Sequence, residues 1–346
     1  MSVEEFDDST PHKQPNLESF DSEGDLILAI EGRDIRQFLV SSKVLRLASP
    51  VFRKLLSPKF REGMQMTESH CPIITLHDDD SECMETMLKV LHYQEEENQM
   101  NAEMLARLAV LCDKYDCNRA LRPWVFKWFH DCQTIRTAEE NGLLLLAAHF
   151  FRDEDQFCRL SANAQTQLSL EFGTQWQEND LLKLLPAAAW NDLSDRIEEL
   201  LQKMTYELQS IEEALRNNQR GYEMDGLVCA CCGKTHPIGA RKCHSCRNDQ
   251  LSVKHCTGDY RVAEYFSALR KLELWPSVQP FRICSAETIA MRISRVKTNL
   301  RHGCGAGKAC PLELEVDFLG RKVNGFLGKV KGLKLYPLQQ NNEQYQ

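Results

Sequence analysis

Residues 229–246 read CACCGKTHPIGARKCHSC and hold five of the chain's 15 cysteines. Cys229 and Cys232 form one CxxC pair, ten residues follow, and Cys243 and Cys246 form a second. Tetrahedral zinc takes four soft ligands at about 2.3 Å, and a CxxC turn places two thiolates on one side of the metal with backbone N–H groups aimed at the sulfurs. Two such turns close the tetrahedron. The stretch between them contains Gly233, Pro237 and Gly239, which suit a turning loop, and Lys234, Arg241 and Lys242, which favour the charged thiolate. The gap of ten is short for paired knuckles but compatible with a ribbon-like site. The preferred reading is a closed, structural zinc on Cys229, Cys232, Cys243 and Cys246.

Other ligands compete for that assignment: Cys231, His236, His244, His255 and Cys256. A looser set, His302, Cys304 and Cys310, could supply another metal or nothing. Free thiols left by a decayed site are the second reading. A redox dithiol is third, because such a motif follows a strand in a βαβ unit and none is visible. Catalytic zinc needs an open coordination position and a placed general base, and no HExxH-like pattern occurs. HGCGAGKAC, residues 302–310, is not a phosphate loop: Gly303 precedes Gly307-Lys308 by one residue too few, and Ala309 stands where a magnesium-binding hydroxyl is needed. With no nucleophile elbow and no paired carboxylates in an apolar setting, no enzymatic activity is expected.

What must position these residues is a chain of 346 amino acids, long enough for two or three domains. The opening residues are acidic and poor in large aliphatics; they are expected to be a disordered tail (1–21) rather than a secretory leader. The apolar run GLLLLAAHFF, residues 142–151, is about half of what a membrane span needs and predicts a buried helix. An intracellular setting, nucleus or cytoplasm, follows, in which disulfides would not persist. The scattered Cys71, Cys83, Cys112, Cys117, Cys132 and Cys158 then read as small buried hydrophobes.

DLILAI (25–30) and RQFLV (36–40) predict a β-hairpin around a turn with Gly32. Ser41 or Ser42 would cap a short helix, and Ser49-Pro50 repeats the signal with Pro at the first helical position. CPIITL (71–76) predicts a strand, Asp80 or Ser81 a cap, and Asn101 the cap of AEMLARLAVLCDKY, whose apolar residues share one face. A helix with Pro123 near its start follows. This order and spacing, with FLVSSKVL (38–45) and ASPVFRKLL (48–56), resembles the BTB/POZ fold over 22–130, and LAVLCDKYDCNRALRPWV (108–125) is similar to the end of that domain in a large group of fungal BTB proteins. The family often has a His where this chain has Ser41, which implies a modest local loss. The resemblance implies protein partners: self-association, or docking to a cullin-type ubiquitin-ligase scaffold. An apolar-x-Glu motif after the third helix serves scaffold binding in such domains, and Phe60-Arg61-Glu62 stands at about that place.

Helical text continues over 131–220, and ends in a long amphipathic helix at 190–217. There Leu193, Ile197, Leu200, Met204, Leu208, Ile211 and Leu215 make an apolar stripe about 33 Å long. A helix lying on its own domain is preferred over a coiled-coil seam. Charge divides the chain. Residues 1–215 carry 21 Lys/Arg and 39 Asp/Glu; residues 216–346 carry 21 and 11, a net of +10. The basic half is expected to present a solvated surface; nucleic-acid binding there, as in a nuclear transcription or chromatin regulator, is the alternative. LELEVDFLG (312–320) alternates and predicts a strand. The fold class is α+β: a BTB/POZ-like domain, a helical extension, a small cysteine-rich α+β domain at 221–338, and a disordered tail at 339–346. The expected function is that of an adaptor with a zinc-stabilised partner-binding region and no membrane association.

Overall fold

A computed structural model describes residues 17–31, 35–94, 100–132, 134, 135, 137–276, 280–301 and 303–338. The chain divides into two compact units, one of residues 1–156 with 335–346, the other of residues 157–334.

The first unit is built on a four-stranded sheet. β2 (Leu26–Glu31) and β3 (Arg36–Val40) pair antiparallel from Leu26 opposite Val40 to Ile30 opposite Arg36. The hairpin is therefore as expected, while its turn around Gly32 lies outside the described residues. β1 (Leu17–Ser19) runs parallel to β3, and β4 (Ile73–His77) parallel to β2, giving the order β1-β3-β2-β4. Residues 17–21, expected to belong to a disordered tail, are instead ordered, with β1 and the buried Phe20 among them, while 1–16 lie outside the described residues. Leu26, Leu28, Ala29 and Ile30 are all buried, so central β2 reads as an unbroken apolar run rather than an alternating one.

Short polar contacts fix the helices around this sheet. α1 (Ser42–Ala48) has Ser41 at its N-cap, but that side chain makes no capping bond. Instead the amide and hydroxyl of Ser42 each donate to the Asp25 carboxylate at 2.7 Å. The Ser41 amide donates to His92 Nε2 at 3.0 Å, so a histidine distant in sequence holds this turn. α2 (Pro50–Leu55) is capped by Ser49, whose hydroxyl accepts from the Phe52 amide and donates to the Tyr115 carbonyl. α3 (Arg61–Glu68) approaches the preceding turn so closely that a Cβ on Gly63 would stand 1.8 Å from the Ser57 carbonyl oxygen. α4 (Ser81–Leu91) is capped by Asp80 and α5 (Ala102–Lys114) by Asn101. α6 (Asn118–Asp131) contains Pro123 in its interior, not at its start. α7 (Ala138–Phe150) opens with a reciprocal Thr137/Glu140 capping box and buries Gly142 through His149 against α5 and its surroundings, the helix expected from GLLLLAAHFF. Cys83, Cys112, Cys117 and Cys132 are buried as expected; Cys71 is half-buried and Cys158 is exposed, because it lies on the outer face of α8 (Glu154–Gln167).

In the second unit, α9 (Phe172–Gln177) packs its Phe172 and Trp176 rings edge to face, and Trp190 meets Trp176 the same way. α10 (Ala187–Asn217) carries the apolar stripe, and all seven of its residues are buried. β5 (Tyr222–Cys229), β6 (Thr235–His236) and β7 (Leu251–Cys256) form a small sheet. α11 (Gly258–Lys271), α12 (Pro280–Ile283), α13 (Ala286–Ser294), α14 (Val296–Asn299) and α15 (Pro311–Leu327) complete the unit. α11 and α15 cover the α10 stripe; the Tyr265 hydroxyl donates to the Leu208 carbonyl at 2.9 Å, and Lys322 pairs with Glu207 at 2.8 Å. The stripe is therefore an intrachain core, as preferred, not a seam.

α15 overturns the strand expected at 312–320. Alternation in LELEVDF matches a period of two, yet Leu312, Val316, Leu319 and Val323 also step by four, three and four. Those four are buried, Leu314 and Phe318 are about half exposed, and Pro311 starts the helix where its missing N–H costs nothing. Among the described residues no helix is long and apolar enough to cross a membrane.

Candidate metal centre

The small sheet has the order β6-β5-β7, all antiparallel. β5 runs directly into the first CxxC turn, and the second turn lies between β6 and β7, so the sheet holds both knuckles at one end. They bring four sulfurs together. Cys229 Sγ lies 3.4 Å from Cys246 Sγ, Cys232 Sγ lies 3.4 Å from Cys243 Sγ, and all four fall within 4.8 Å of one another. Four sulfurs around a tetrahedral zinc with 2.3 Å bonds are separated by about 3.8 Å, whereas a disulfide requires about 2.05 Å. The donor set fits a thiophilic divalent cation.

The two knuckles repeat the same hydrogen bonds. The amide of the first cysteine donates to a carbonyl five residues on, Cys229 to Lys234 at 3.1 Å and Cys243 to Asn248 at 2.8 Å. Its carbonyl accepts from the amide four residues on, Gly233 at 2.9 Å and Arg247 at 2.9 Å. That fourth position is left-handed in both, with φ of +67° at Gly233 and +59° at Arg247. Glycine adopts this region freely; a side chain makes it strained.

Backbone amides also tune the sulfurs. The Cys246 and Ser245 N–H groups point at Cys243 Sγ from 3.5 and 3.4 Å, and the Cys246 amide is the chief cause of a thiol held down to about 5. Cys229 is lowered in the same way, first by the Cys232 amide. Around Cys232 the Lys234 amide works in the same sense, but the thiols and burial outweigh it and the group is raised. Cys246 is raised too, by its sulfur neighbours and burial against the Asn248 amide. In each CxxC one thiol is thus shifted down and its mate up, and a bound dication would favour the charged form of all four.

The other sequence candidates fall elsewhere. Cys231, His244 and His255 are exposed; His236 is buried in β6 with its ring 5.6 Å from that of His244. None joins the four-sulfur group. Cys256 instead meets Cys304 and Cys310, joining two groups expected to be separate, and His302 lies outside the described residues. In the first unit, Phe60 occupies the N-cap of α3 and is 47% exposed, with Glu62 half-buried in the first turn. The triplet thus opens the third helix rather than following it. Met64, one turn on and also exposed, extends the apolar edge of Phe60; the i,i+4 spacing was the signal for it.

Comparison with protein families matches residues 17–123 to the description "BTB/POZ domain". The chain carries a BTB/POZ domain. That span takes in the whole four-stranded sheet and α1 to α5, with the start of α6. It ends well before the four-sulfur group. A search of curated proteins gave no match. BTB/POZ domains are typically interaction modules, so the domain points to protein–protein association.

Proposed function

We propose that the chain is an adaptor with two working parts. Its BTB/POZ domain associates with a second copy of itself or docks to a cullin-type ubiquitin-ligase scaffold, and its cysteine-rich unit, clamped by zinc on Cys229, Cys232, Cys243 and Cys246, holds another protein. The BTB/POZ match over 17–123 carries this reading. Support for scaffold docking comes from the exposed Phe60 with Met64 one turn on and from Glu62 in the helix's first turn. Phe60 would fill an apolar groove, and Glu62 would accept a hydrogen bond at its edge. Support for zinc comes from four thiols at coordination spacing with amides aimed at the first cysteine of the second knuckle. No chemistry on a substrate is part of this reading: binding is the mechanism, and both units serve it by holding surfaces in place.

The test is co-purification with a cullin, wild type against Phe60→Ala/Glu62→Ala. Capture by the wild type and loss in the variant supports scaffold docking. Capture by neither removes it, and sedimentation of the isolated chain then decides whether self-association is the role of the domain.

A further inference from the structure

A second group of sulfurs lies deeper in the cysteine-rich unit. Cys256 ends β7, Cys304 sits in the loop before α15, and Cys310 is the N-cap of α15. Their Sγ atoms all lie within 4.8 Å of one another, with Cys256 and Cys310 3.9 Å apart. Cys256 and Cys310 are fully buried. The loop is pinned for this purpose along β5: Met224 and Cys304 form an isolated bridge, and the Gly305 amide donates to the Glu223 carbonyl at 2.7 Å.

The neighbour of this group is unusual. Arg261 of α11 is fully buried, and among the described residues it forms no ion pair with any carboxylate. Its Nη1 donates to the Arg220 carbonyl at 2.9 Å and to the Cys256 carbonyl at 3.4 Å, and lies 3.8 Å from Cys256 Sγ. Its Nη2 donates to the Asn218 carbonyl. Carbonyls satisfy donors but do not neutralise a cation, and a buried guanidinium with no counter-charge is costly. Three neutral thiols would leave it so. Three thiolates around a divalent cation carry a net charge of −1, which matches Arg261.

We propose that Cys256, Cys304 and Cys310 form a second metal centre for a thiophilic divalent cation, zinc foremost, with Arg261 as its counter-charge. Soft thiolates select zinc over calcium or magnesium. The centre ties together the end of β7, the 303–310 loop and the start of α15, three parts of the chain that no regular hydrogen-bonded pairing joins as a set. It is independent of the four-cysteine site, from which it shares no ligand.

Elemental analysis of the full chain, purified without added metal, tests it. Wild type is expected to hold about two zinc ions per chain, and Cys304→Ser/Cys310→Ser and Cys229→Ser/Cys243→Ser about one each. About one zinc in the wild type, kept by Cys304→Ser/Cys310→Ser and lost by Cys229→Ser/Cys243→Ser, overturns the second centre and leaves the first standing. About one with the opposite loss pattern supports the second centre and removes the first. Should Cys304→Ser/Cys310→Ser not fold, cobalt replaces zinc in the wild type and in Cys229→Ser/Cys243→Ser. Thiolate-to-cobalt absorption scales with the number of sulfur ligands, so the second variant should keep roughly 40% of the wild-type signal. No residual absorption overturns the proposal, as does a thiol titration that finds Cys256 and Cys310 joined in a disulfide.

Discussion

Two sheets in one chain are held by different physics. In the four-stranded sheet of the BTB/POZ domain, Leu26, Leu28, Ile30, Phe38 and Val40 are wholly buried, and Phe20 stacks on Phe38 with ring centroids 5.3 Å apart. In the three-stranded sheet of the cysteine-rich unit, the buried strand residues are Met224, Cys229, His236 and Cys256. Ser252, Val253 and His255 of β7 face solvent. The first sheet is held by apolar side chains removed from water. The second buries few strand residues, and four sulfurs converge at its end, where the proposed metal would crosslink it.

The sharpest way to break this contrast is to deny the four sulfurs the proposed cation. Chelation, or Cys229→Ser/Cys243→Ser, should abolish amide-exchange protection in β5, β6 and β7 while the BTB/POZ sheet keeps its own; protection that survives in both sheets would show that sulfur ligation is not what orders the smaller one. A complementary change attacks the apolar sheet's supports. Phe52 is wholly buried and stacks on Tyr115 at 4.5 Å, so Phe52→Ala should cost about 3–5 kcal/mol in chemical denaturation followed through the first unit, with zinc content unchanged. The smallest effect sharpens the comparison inside the metal site itself. Arg247→Gly removes left-handed strain from the second knuckle and should stabilise it by about 1 kcal/mol or less, and Gly233→Ala should weaken the first knuckle by a similar amount; competition with a chromogenic zinc chelator reads both.

Local signals made much of the first unit legible. Ser49-Pro50 and Asn101 cap helices as their residue types dictate, and the hairpin follows from two apolar runs around a polar turn. The CxxC pairs were legible because each knuckle is a local turn that needs only a few residues to form. Non-local geometry was not. Cys256 lies far in sequence from Cys304 and Cys310, and only the folding of β7 against the loop brings them together. Residues 312–320 fit both periods at once, and the choice fell to α10, whose stripe needed a helical cover. Cys158 shows the limit of residue type as a guide: a thiol can ride on the wet side of a helix.

The first unit is discontinuous: it takes residues up to 156 and then residues from 335 onward, where the Arg152 side chain donates to the Tyr336 carbonyl at 2.9 Å. A ribosome therefore releases every residue of the cysteine-rich unit before it releases the last segment of the unit that was begun first. The amino-terminal body therefore closes last, on a segment synthesised after the whole of the unit that interrupts it.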